Sequence, residues 1–281
     1  MTDPGAQLRD IVNQPKNWNF SGAGRLYAGV DLGTYKAIMI VVDETGKPRA
    51  ASMKRAEVVR SGLIVDYAGA QNMVREMIKE LRNASPLPIE KGATSFPPQT
   101  EDANINATRY ILEGAGLEVL NVLDEPTAAN QVLKLENGAV VDVGGGTTGI
   151  AVIKNGSVVF TDDEATGGVH LSLVVAGNYK ISYEEAEELK TDRNRSREIL
   201  PIVRPVIEKI ASIVDTCLKE FNELSEVCLV GGTCELAGFD EIVRKSLNLK
   251  AFRPDFPQFI TPLGIALSCL DTEKGAAQGF D

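Results

Sequence analysis

In the first half of the chain, short apolar runs that end at glycine turns give way to longer segments with apolar residues at helical spacing. The short runs predict strands and the longer segments predict helices. In order, these are a hairpin around 30–42, a strand near 49–53, a helix over 67–82, a strand over 92–96, a helix over 102–116, a strand over 117–123 and a helix opening at 125–129. Three antiparallel strands followed by alternating helices and strands indicate an α/β unit.

The second half repeats this plan. The pattern predicts strands over 139–142, 149–153 and 158–161, helices from 168, from 182 and over 201–224, a strand over 227–230 and a helix over 236–247. A last apolar segment, Thr261–Leu267, predicts a terminal helix that packs back on the first half. Two similar lobes with a cleft between them is the simplest architecture.

One short motif occurs once in each half. Val30-Asp31-Leu32-Gly33-Thr34 and Val141-Asp142-Val143-Gly144-Gly145-Gly146-Thr147 both read as apolar residue, aspartate, apolar residue, glycine and then threonine. An apolar strand and a glycine turn follow each copy, so each copy predicts a β-hairpin with small residues at its tip. A single copy is compatible with ordinary turn chemistry, whereas two copies with matched flanks favour a shared function.

The aspartate in each motif is the informative residue. An aspartate between apolar strand residues loses its hydration unless a partner compensates its charge, and a bound cation is the simplest partner. The glycines that follow allow the turn to present backbone N–H groups as an anion cradle. The motif therefore predicts a metal ion together with phosphate.

Other nucleotide-binding motifs do not fit this chain. Gly144-Gly145-Gly146-Thr147-Thr148-Gly149 matches the spacing of a dinucleotide fingerprint, but a short β-branched segment follows it instead of a helix. The only histidine, His170, is followed by Leu171, and no Asp-Phe-Gly occurs, which excludes a protein kinase. The sequence also contains no G-x-x-x-x-G-K-[ST] loop.

Composition limits the remaining classes. With 281 residues, 43% of them hydrophobic, the chain is long enough for two modest domains. A net charge of −10 disfavours nucleic acid and anionic membranes. It would also repel a phosphate ligand unless local positive groups or a divalent ion intervene, which favours a required metal ion. The four cysteines show no C-x-x-C spacing and are expected to be reduced thiols of a cytoplasmic protein.

The two ends of the chain show little apolar patterning. Residues 1–24 are expected to form a flexible arm, with a short helix over Gln7–Val12 as the alternative, and 271–281 a flexible tail. The first residues lack a signal-peptide pattern and no apolar run reaches the length of a membrane span, so we expect a protein that is neither secreted nor integral. The predicted lobes cover 25–135 with 255–270, and 136–254.

These motifs together resemble those of the actin-like ATPase superfamily, which includes DnaK-type chaperones, MreB, actin and sugar kinases. The segments at 29–34 and 141–148 resemble its two phosphate motifs, Asp124–Ala129 the connecting motif, Leu229–Thr233 the adenosine motif, and 261–266 the terminal segment. All five occur in order over roughly residues 25–270. The resemblance implies an α/β fold of duplicated ribonuclease-H-like lobes with a central nucleotide cleft.

Three further segments resemble a chaperone-like family of this superfamily that is encoded with bacterial microcompartment genes and serves ethanolamine utilization. They are Ala93–Pro98, Gly116–Val119 with Leu123–Ala128, and Asp163–Gly168. The chain is too short for the peptide-binding domain of a DnaK-type chaperone. The resemblance therefore implies that any partner binds the lobes themselves.

The resemblance also assigns roles at the phosphate motifs. Asp31 and Asp142 would hold Mg²⁺ through water, although both could instead cap turns. Gly33, Thr34 and Tyr35, with Lys36 from the same hairpin, would contact phosphate, although Lys36 is equally compatible with a solvated lysine. The matching set in the second half comprises Gly144, Gly145, Gly146 and Thr147.

Adenosine would be bound by residues of the second lobe. Glu187 and Lys190 lie three positions apart on a predicted helix and would contact ribose, but a plain exposed helix is an alternative for so acidic a stretch. Gly231, Gly232 and Thr233 would let the nucleoside approach the backbone. Glu235 replaces an arginine that chaperones stack on adenine, which implies weak adenine affinity.

The residues for hydrolysis are incomplete. By resemblance Glu125 would orient the attacking water, and its alternative role is to cap the helix that begins at Pro126. Gly149 stands where the superfamily has a second polar group, and only Lys54 lies near the position of a phosphate-binding lysine. Loss of one positioned group costs about 10²-fold or more in rate, so slow or absent turnover is expected.

We therefore expect an ATP- or ADP-binding, Mg²⁺-dependent accessory protein whose lobes close on nucleotide. Its expected partner is a protein client, either an ethanolamine-pathway enzyme or a microcompartment shell component. One alternative is an MreB-like polymerising scaffold, supported by the segment Arg60–Asp66 but opposed by the lack of a recognisable exposed apolar loop. The other is a small-molecule kinase, for which the sequence offers no recognisable base.

Overall fold

The computed structural model of the chain describes residues 4–60, 62–221, 224–247 and 249–278. They fall into two compact units, Met1–Lys134 with Phe259–Asp281, and Leu135–Gln258. Within the described ranges, no helix combines the length and the apolar character that crossing a bilayer requires.

The first unit contains a five-stranded sheet. Its elements are α1 (Pro4–Ile11), β1 (Leu26–Leu32), β2 (Lys36–Asp43), β3 (Pro48–Arg55), β4 (Val59–Arg60), β5 (Leu63–Ile64), α2 (Tyr67–Ala84), β6 (Lys91–Phe96), α3 (Asp102–Gly114), β7 (Glu118–Asp124), α4 (Glu125–Leu133) and, from the end of the chain, α9 (Ile260–Gln278). The strand order is β3-β2-β1-β6-β7. The first three strands are antiparallel, and β6 and β7 continue the sheet in parallel with β1.

The second unit has the same topology. Its elements are β8 (Gly138–Val143), β9 (Thr148–Lys154), β10 (Ser157–Glu164), α5 (Gly168–Tyr179), α6 (Tyr183–Thr191), α7 (Ser196–Leu218), β11 (Glu226–Val230), α8 (Phe239–Ser246) and β12 (Lys250–Phe252). The order β10-β9-β8-β11-β12 repeats that of the first sheet, with three antiparallel strands followed by two parallel ones. The predicted duplication of an α/β lobe is confirmed.

Buried apolar residues fill both faces of the central strands, which explains their continuous apolar runs. In the first unit, Val74, Met77 and Ile78 of α2 pack with β1, β2 and α3 into one core. In the second unit, α7 supplies the buried stripe Ile199, Val203, Ile207, Ile210 and Val214 to a core shared with β8, β9 and β11. Helix α7 begins at Ser196 and ends at Leu218, earlier at both ends than predicted.

The last helix packs on the first unit, as the sequence predicted. Glycines allow this close packing, since a Cβ on Gly264 would lie 1.7 Å from the Ala128 carbonyl oxygen of α4. A Cβ on Gly29 of β1 would lie 2.3 Å from the Ala266 nitrogen. The helix continues to Gln278, and 279–281 lie outside the described residues.

The N-terminal segment contains a helix, which was the alternative to a flexible arm. Helix α1 packs against β3, where Leu8 is completely buried, and Val12 forms a β-bridge with Ala51. The Trp18 indole N–H donates to the Ile11 carbonyl at 2.8 Å. The physical reason is that Leu8 and Ile11 lie on one face of a helical turn and cover the apolar surface of the sheet's edge strand. Residues 1–3 lie outside the described part of the chain.

Candidate nucleotide site

The first predicted phosphate turn connects β1 to β2. Asp31 precedes it and lies opposite Ile38 in the strand register. The Gly33 N–H donates to the Lys36 carbonyl at 3.1 Å, which closes a tight turn with Thr34 and Tyr35 at its tip. Turn residues 33–36 and Asp31 are half-buried, so the sequence motif forms an accessible hairpin tip.

The second predicted phosphate turn connects β8 to β9 and is anchored more firmly. Asp142 is buried, with 5% exposure, and lies opposite Gly149 in the register. The Gly144 N–H donates to the Thr147 carbonyl at 3.0 Å. Both hairpins therefore have the same closure, from the first glycine to a residue three positions later.

The glycine carbonyls of this turn point toward the start of α5. The Gly144 oxygen accepts from the Gly168 N–H at 3.0 Å, and the Gly145 oxygen accepts from the Val169 N–H at 2.8 Å. In a trans peptide the C=O and the following N–H point in opposite directions. The N–H groups of Gly145 and Gly146 are therefore directed away from α5, as an anion cradle requires.

Residues of the predicted adenosine site come together in the second unit. The Thr233 hydroxyl donates to the Gly144 carbonyl at 2.7 Å, which ties the adenosine turn to the phosphate turn. Gly231 has a φ of +92°, and a Cβ there would lie 2.3 Å from Asp142 Oδ1. Gly232 opens the short 3-10 helix Gly232–Glu235 that follows. Glycine at 231 is thus required both by the backbone and by the neighbouring carboxylate.

Glu187 and Lys190 of α6 form a buried ion pair, so the alternative of a plain exposed helix is wrong for these two residues. Lys190 Nζ lies 2.7 Å from Glu187 Oε2. It also donates to Ser172 Oγ at 2.9 Å and to the Gly168 carbonyl at 3.1 Å, which uses all three ammonium hydrogens. Burial lowers the pKa of Lys190, and the Glu187 carboxylate opposes that shift.

Ser172 completes this cluster and was missed by sequence reasoning. Its hydroxyl oxygen lies within hydrogen-bonding distance of two acceptors, Glu187 Oε2 and the Gly168 carbonyl, which share its single proton. A serine four residues into a predicted helix gives no signal in the sequence, because its charged partners Glu187 and Lys190 come from a different helix. The ribose role of Glu187 and Lys190 remains a prediction, with the Lys190 donors all engaged in the observed arrangement.

The residues predicted for hydrolysis lie in the first unit. Asp124 caps α4 by accepting from the Thr127 N–H at 2.9 Å, and Glu125 occupies the first turn. Lys54 Nζ pairs with Glu76 Oε2 at 2.8 Å. Glu125 in the first turn is compatible with the alternative of stabilising the helix N-terminus, and its role in hydrolysis remains a prediction.

Asp163 is a further candidate residue of the nucleotide site, and the sequence analysis did not assign it a role. It lies on β10, and the Thr147 hydroxyl hydrogen bonds to its carboxylate. Burial raises the pKa of Asp163 to about 6, assisted by the negative charges of Asp162, Asp142 and Glu164. Its position could have been found only from the strand register, because three acidic residues in a row otherwise indicate a solvated edge.

The donor set fits magnesium better than a metal held by protein alone. In the described ranges, no three His, Cys, Asp or Glu side chains are grouped closely enough to hold a metal ion. Mg²⁺ typically uses one or two carboxylates and completes its shell with water and phosphate oxygens. Asp142 beside the glycine turn is suited to that use.

Comparison with known proteins identifies the family. Over 251 residues, the chain is 45% identical to the ethanolamine utilization protein EutJ of Escherichia coli strain K12, an alignment that covers 89% of this chain and 88% of that protein. The chain belongs to the EutJ family. A crystal structure of EutJ from Carboxydothermus hydrogenoformans superposes on it with a TM-score of 0.87 at 44% identity, covering 94% of this chain and 97% of the other.

Other similarities of the EutJ-family chain are more distant. The structure of MreB5 of Spiroplasma citri bound to ADP matches with a TM-score of 0.73 at 15% identity, covering 91% of this chain and 99% of the other. A family profile described as type IV pilus assembly protein PilM matches residues 119–253. These matches bear on the fold, and together with the EutJ structure they confirm the predicted actin-like ATPase fold.

Proposed function

We propose that the chain is an ATP-binding, chaperone-like accessory protein of ethanolamine utilization that binds nucleotide with Mg²⁺ and hydrolyses it slowly or not at all. The observation that carries the proposal is the β8–β9 turn, whose Gly144 and Gly145 carbonyls bond to the start of α5. This leaves two successive N–H groups directed the other way beside a buried aspartate. The related MreB5 fold, solved with ADP, supports the choice of nucleotide.

Slow turnover follows from the side chains near the predicted phosphates. Position 149 is a glycine, and Lys54 is engaged by Glu76. Glu125 is then the one candidate for orienting water that the sequence analysis provides, and each positioned group that is absent lowers the rate by about 10²-fold or more. Binding of nucleotide, with closure of the lobes around it, is therefore the proposed working event.

Calorimetric titration with ATP and ADP, with and without Mg²⁺, tests the proposal on wild type, Asp142→Asn and Asp162→Asn. We expect Mg²⁺ to strengthen binding to wild type and to Asp162→Asn, and this gain to be lost in Asp142→Asn. Asp162 is a matched control because it lies on β10, opposite Ile150 rather than Gly149. Absence of nucleotide binding to wild type under all conditions would refute the proposal.

The proposed client is an ethanolamine-pathway enzyme or a microcompartment shell component. Binding of such purified proteins to the immobilised chain, compared in ATP and ADP, tests this part separately. Client affinity that changes with the nucleotide supports a chaperone-like cycle, whereas equal affinity in both nucleotides contradicts it.

A polymerising scaffold is the second candidate, and one observation favours it. Contrary to the sequence-based expectation, the segment between β4 and α2 exposes apolar side chains, with Leu63 47%, Val65 57% and Tyr67 43% exposed. Neighbouring large apolar groups of this kind are typical of protein contacts. Nucleotide-dependent sedimentation distinguishes the two functions, because only a filament pellets, and Val65→Lys should abolish the pellet.

A further inference from the structure

Asp142, Gly149 and Asp163 lie in one row across three neighbouring strands. Asp142 of β8 is directly opposite Gly149 of β9, and Gly149 is directly opposite Asp163 of β10. Directly opposed residues of antiparallel strands place their side chains on the same face of the sheet. The two carboxylates therefore share one face.

The residue between the two carboxylates has no side chain. Neighbouring strands are about 4.8 Å apart, so the Cα atoms of Asp142 and Asp163 are separated by roughly 10 Å across Gly149. Any larger residue at 149 would project between the carboxylates. No side chain at position 149 therefore separates the two aspartates of the row.

Asp163 is held at one oxygen and unsatisfied at the other. The Thr147 hydroxyl, which belongs to the predicted phosphate turn, hydrogen bonds to the Asp163 carboxylate. Among the described residues, its buried Oδ1 atom has no hydrogen-bond partner. A buried acceptor without a partner is costly, which points to a ligand that supplies a donor.

The spacing of the two aspartates suits a hydrated divalent cation. A Mg²⁺–water bond of about 2.1 Å and a water-to-carboxylate hydrogen bond of about 2.7 Å separate each carboxylate oxygen from the ion by roughly 4 Å. Two carboxylates reaching one hydrated ion from opposite sides are then up to about 8 Å apart, which fits Cα atoms separated by two strand spacings.

We propose that Asp163 is a positioning residue of the magnesium subsite, where it accepts a hydrogen bond from a metal-bound water and aligns the cation with the phosphate turn through Thr147. This inference rests on the proposed function, because it assigns a further residue to the same site. It makes the second unit the source of two carboxylates, Asp142 and Asp163.

Asp162 provides the matched control. It is one residue away on the same strand, lies opposite Ile150, and places Oδ2 3.8 Å from the Cys217 sulfur. Asp162→Asn removes the same charge from the other face of the sheet. Asp163→Asn is nearly isosteric and retains an acceptor for Thr147, so a folded protein is expected, and a thermal melt verifies it.

The test compares ADP affinity by calorimetry in chelator and in Mg²⁺ for wild type, Asp163→Asn and Asp162→Asn. We expect similar metal-free affinities for all three and a Mg²⁺-dependent gain that is about tenfold smaller in Asp163→Asn alone. A gain in Asp163→Asn within about twofold of wild type would overturn the assignment.

A second readout separates this inference from the proposed function. Mn²⁺ is titrated into the nucleotide-free protein, and bound ion is followed by electron paramagnetic resonance. If wild type binds neither ADP nor ATP, the proposed function fails, and weaker Mn²⁺ binding by Asp163→Asn than by Asp162→Asn still supports a cation site. Equal Mn²⁺ binding by the two variants would then refute the assignment of Asp163 to a cation site.

Discussion

Lys190 Nζ lies 2.7 Å from Glu187 Oε2, and the two side chains are only 10% and 6% exposed. Breaking a buried pair leaves one charge without compensation, which costs about 3–5 kcal/mol. Glu187→Gln is therefore expected to lower the free energy of unfolding by about 3 kcal/mol in urea denaturation.

A neighbouring pair serves as the control for this prediction. Arg195 and Glu198 have the same three-residue spacing, but their side chains are 41% and 44% exposed. Exposed ion pairs contribute little because water screens them, so Glu198→Gln should scarcely move the denaturation midpoint. Equal destabilisation by both variants would show that burial of the Glu187–Lys190 pair does not control its energetics.

Two glycines offer a sharp comparison of packing. A Cβ at Gly264 of α9 would lie 1.7 Å from the Ala128 carbonyl, whereas a Cβ at the exposed Gly177 of α5 would have nothing within 4 Å. We expect Gly264→Ala to cost about 3 kcal/mol or more, since α9 must move away from α4. Gly177→Ala should instead stabilise the protein by about 0.5–1 kcal/mol through helix propensity. Thermal melts that ranked the variants in the opposite order would contradict this account of the α4–α9 contact.

The repeated aspartate–glycine motif predicted both hairpins, and the short apolar runs that end at turn glycines predicted the duplicated sheet. The burial of Lys190 could not be predicted in the same way. The acidic stretch Tyr183–Glu188 reads as a solvated helix, and only packing of α6 against α5 buries the Glu187–Lys190 pair. Asp163 was missed for a related reason, since its partnership with Thr147 depends on the register between β9 and β10.

Asp43 and Arg49 form a second buried pair, 1% and 8% exposed at their side chains, which fixes the N-terminal segment. The Arg49 guanidinium also donates to the carbonyls of Asn19 and Ser21. Burial by itself raises the pKa of Asp43, but hydrogen bonds from Thr45, Arg49 and Lys47 outweigh it and hold the pKa below its ordinary value. The ionised carboxylate is thus favoured by folding.

Asp43→Asn should therefore cost about 3 kcal/mol near neutral pH. Because the pKa is lowered in the folded state, the stabilisation is present above the ordinary value of 3.8 and is lost as the pH falls through the lower folded value. The difference between wild type and variant should accordingly shrink in strong acid. Urea titrations near neutral pH and in strong acid test this prediction. Glu57→Gln serves as a control because Glu57 is 80% exposed in its pair with Arg55.

For Asp163 we expect the opposite pH dependence of the free energy of unfolding. Its pKa is raised from 3.8 to about 6, so folding favours the protonated form, and the associated stability is present at low pH and lost as the pH rises through 6. Asp163→Asn removes this loss, and we expect the variant to be more stable than wild type by about 1–2 kcal/mol at pH 7.5 after allowance for solvent screening. The gain should vanish near pH 4 and should shrink when Mg²⁺ and ADP are present, since a bound cation compensates the same carboxylate. Urea unfolding curves that keep a constant difference between the two proteins from pH 4 to 7.5 would show that the ionisation of Asp163 is not what costs stability.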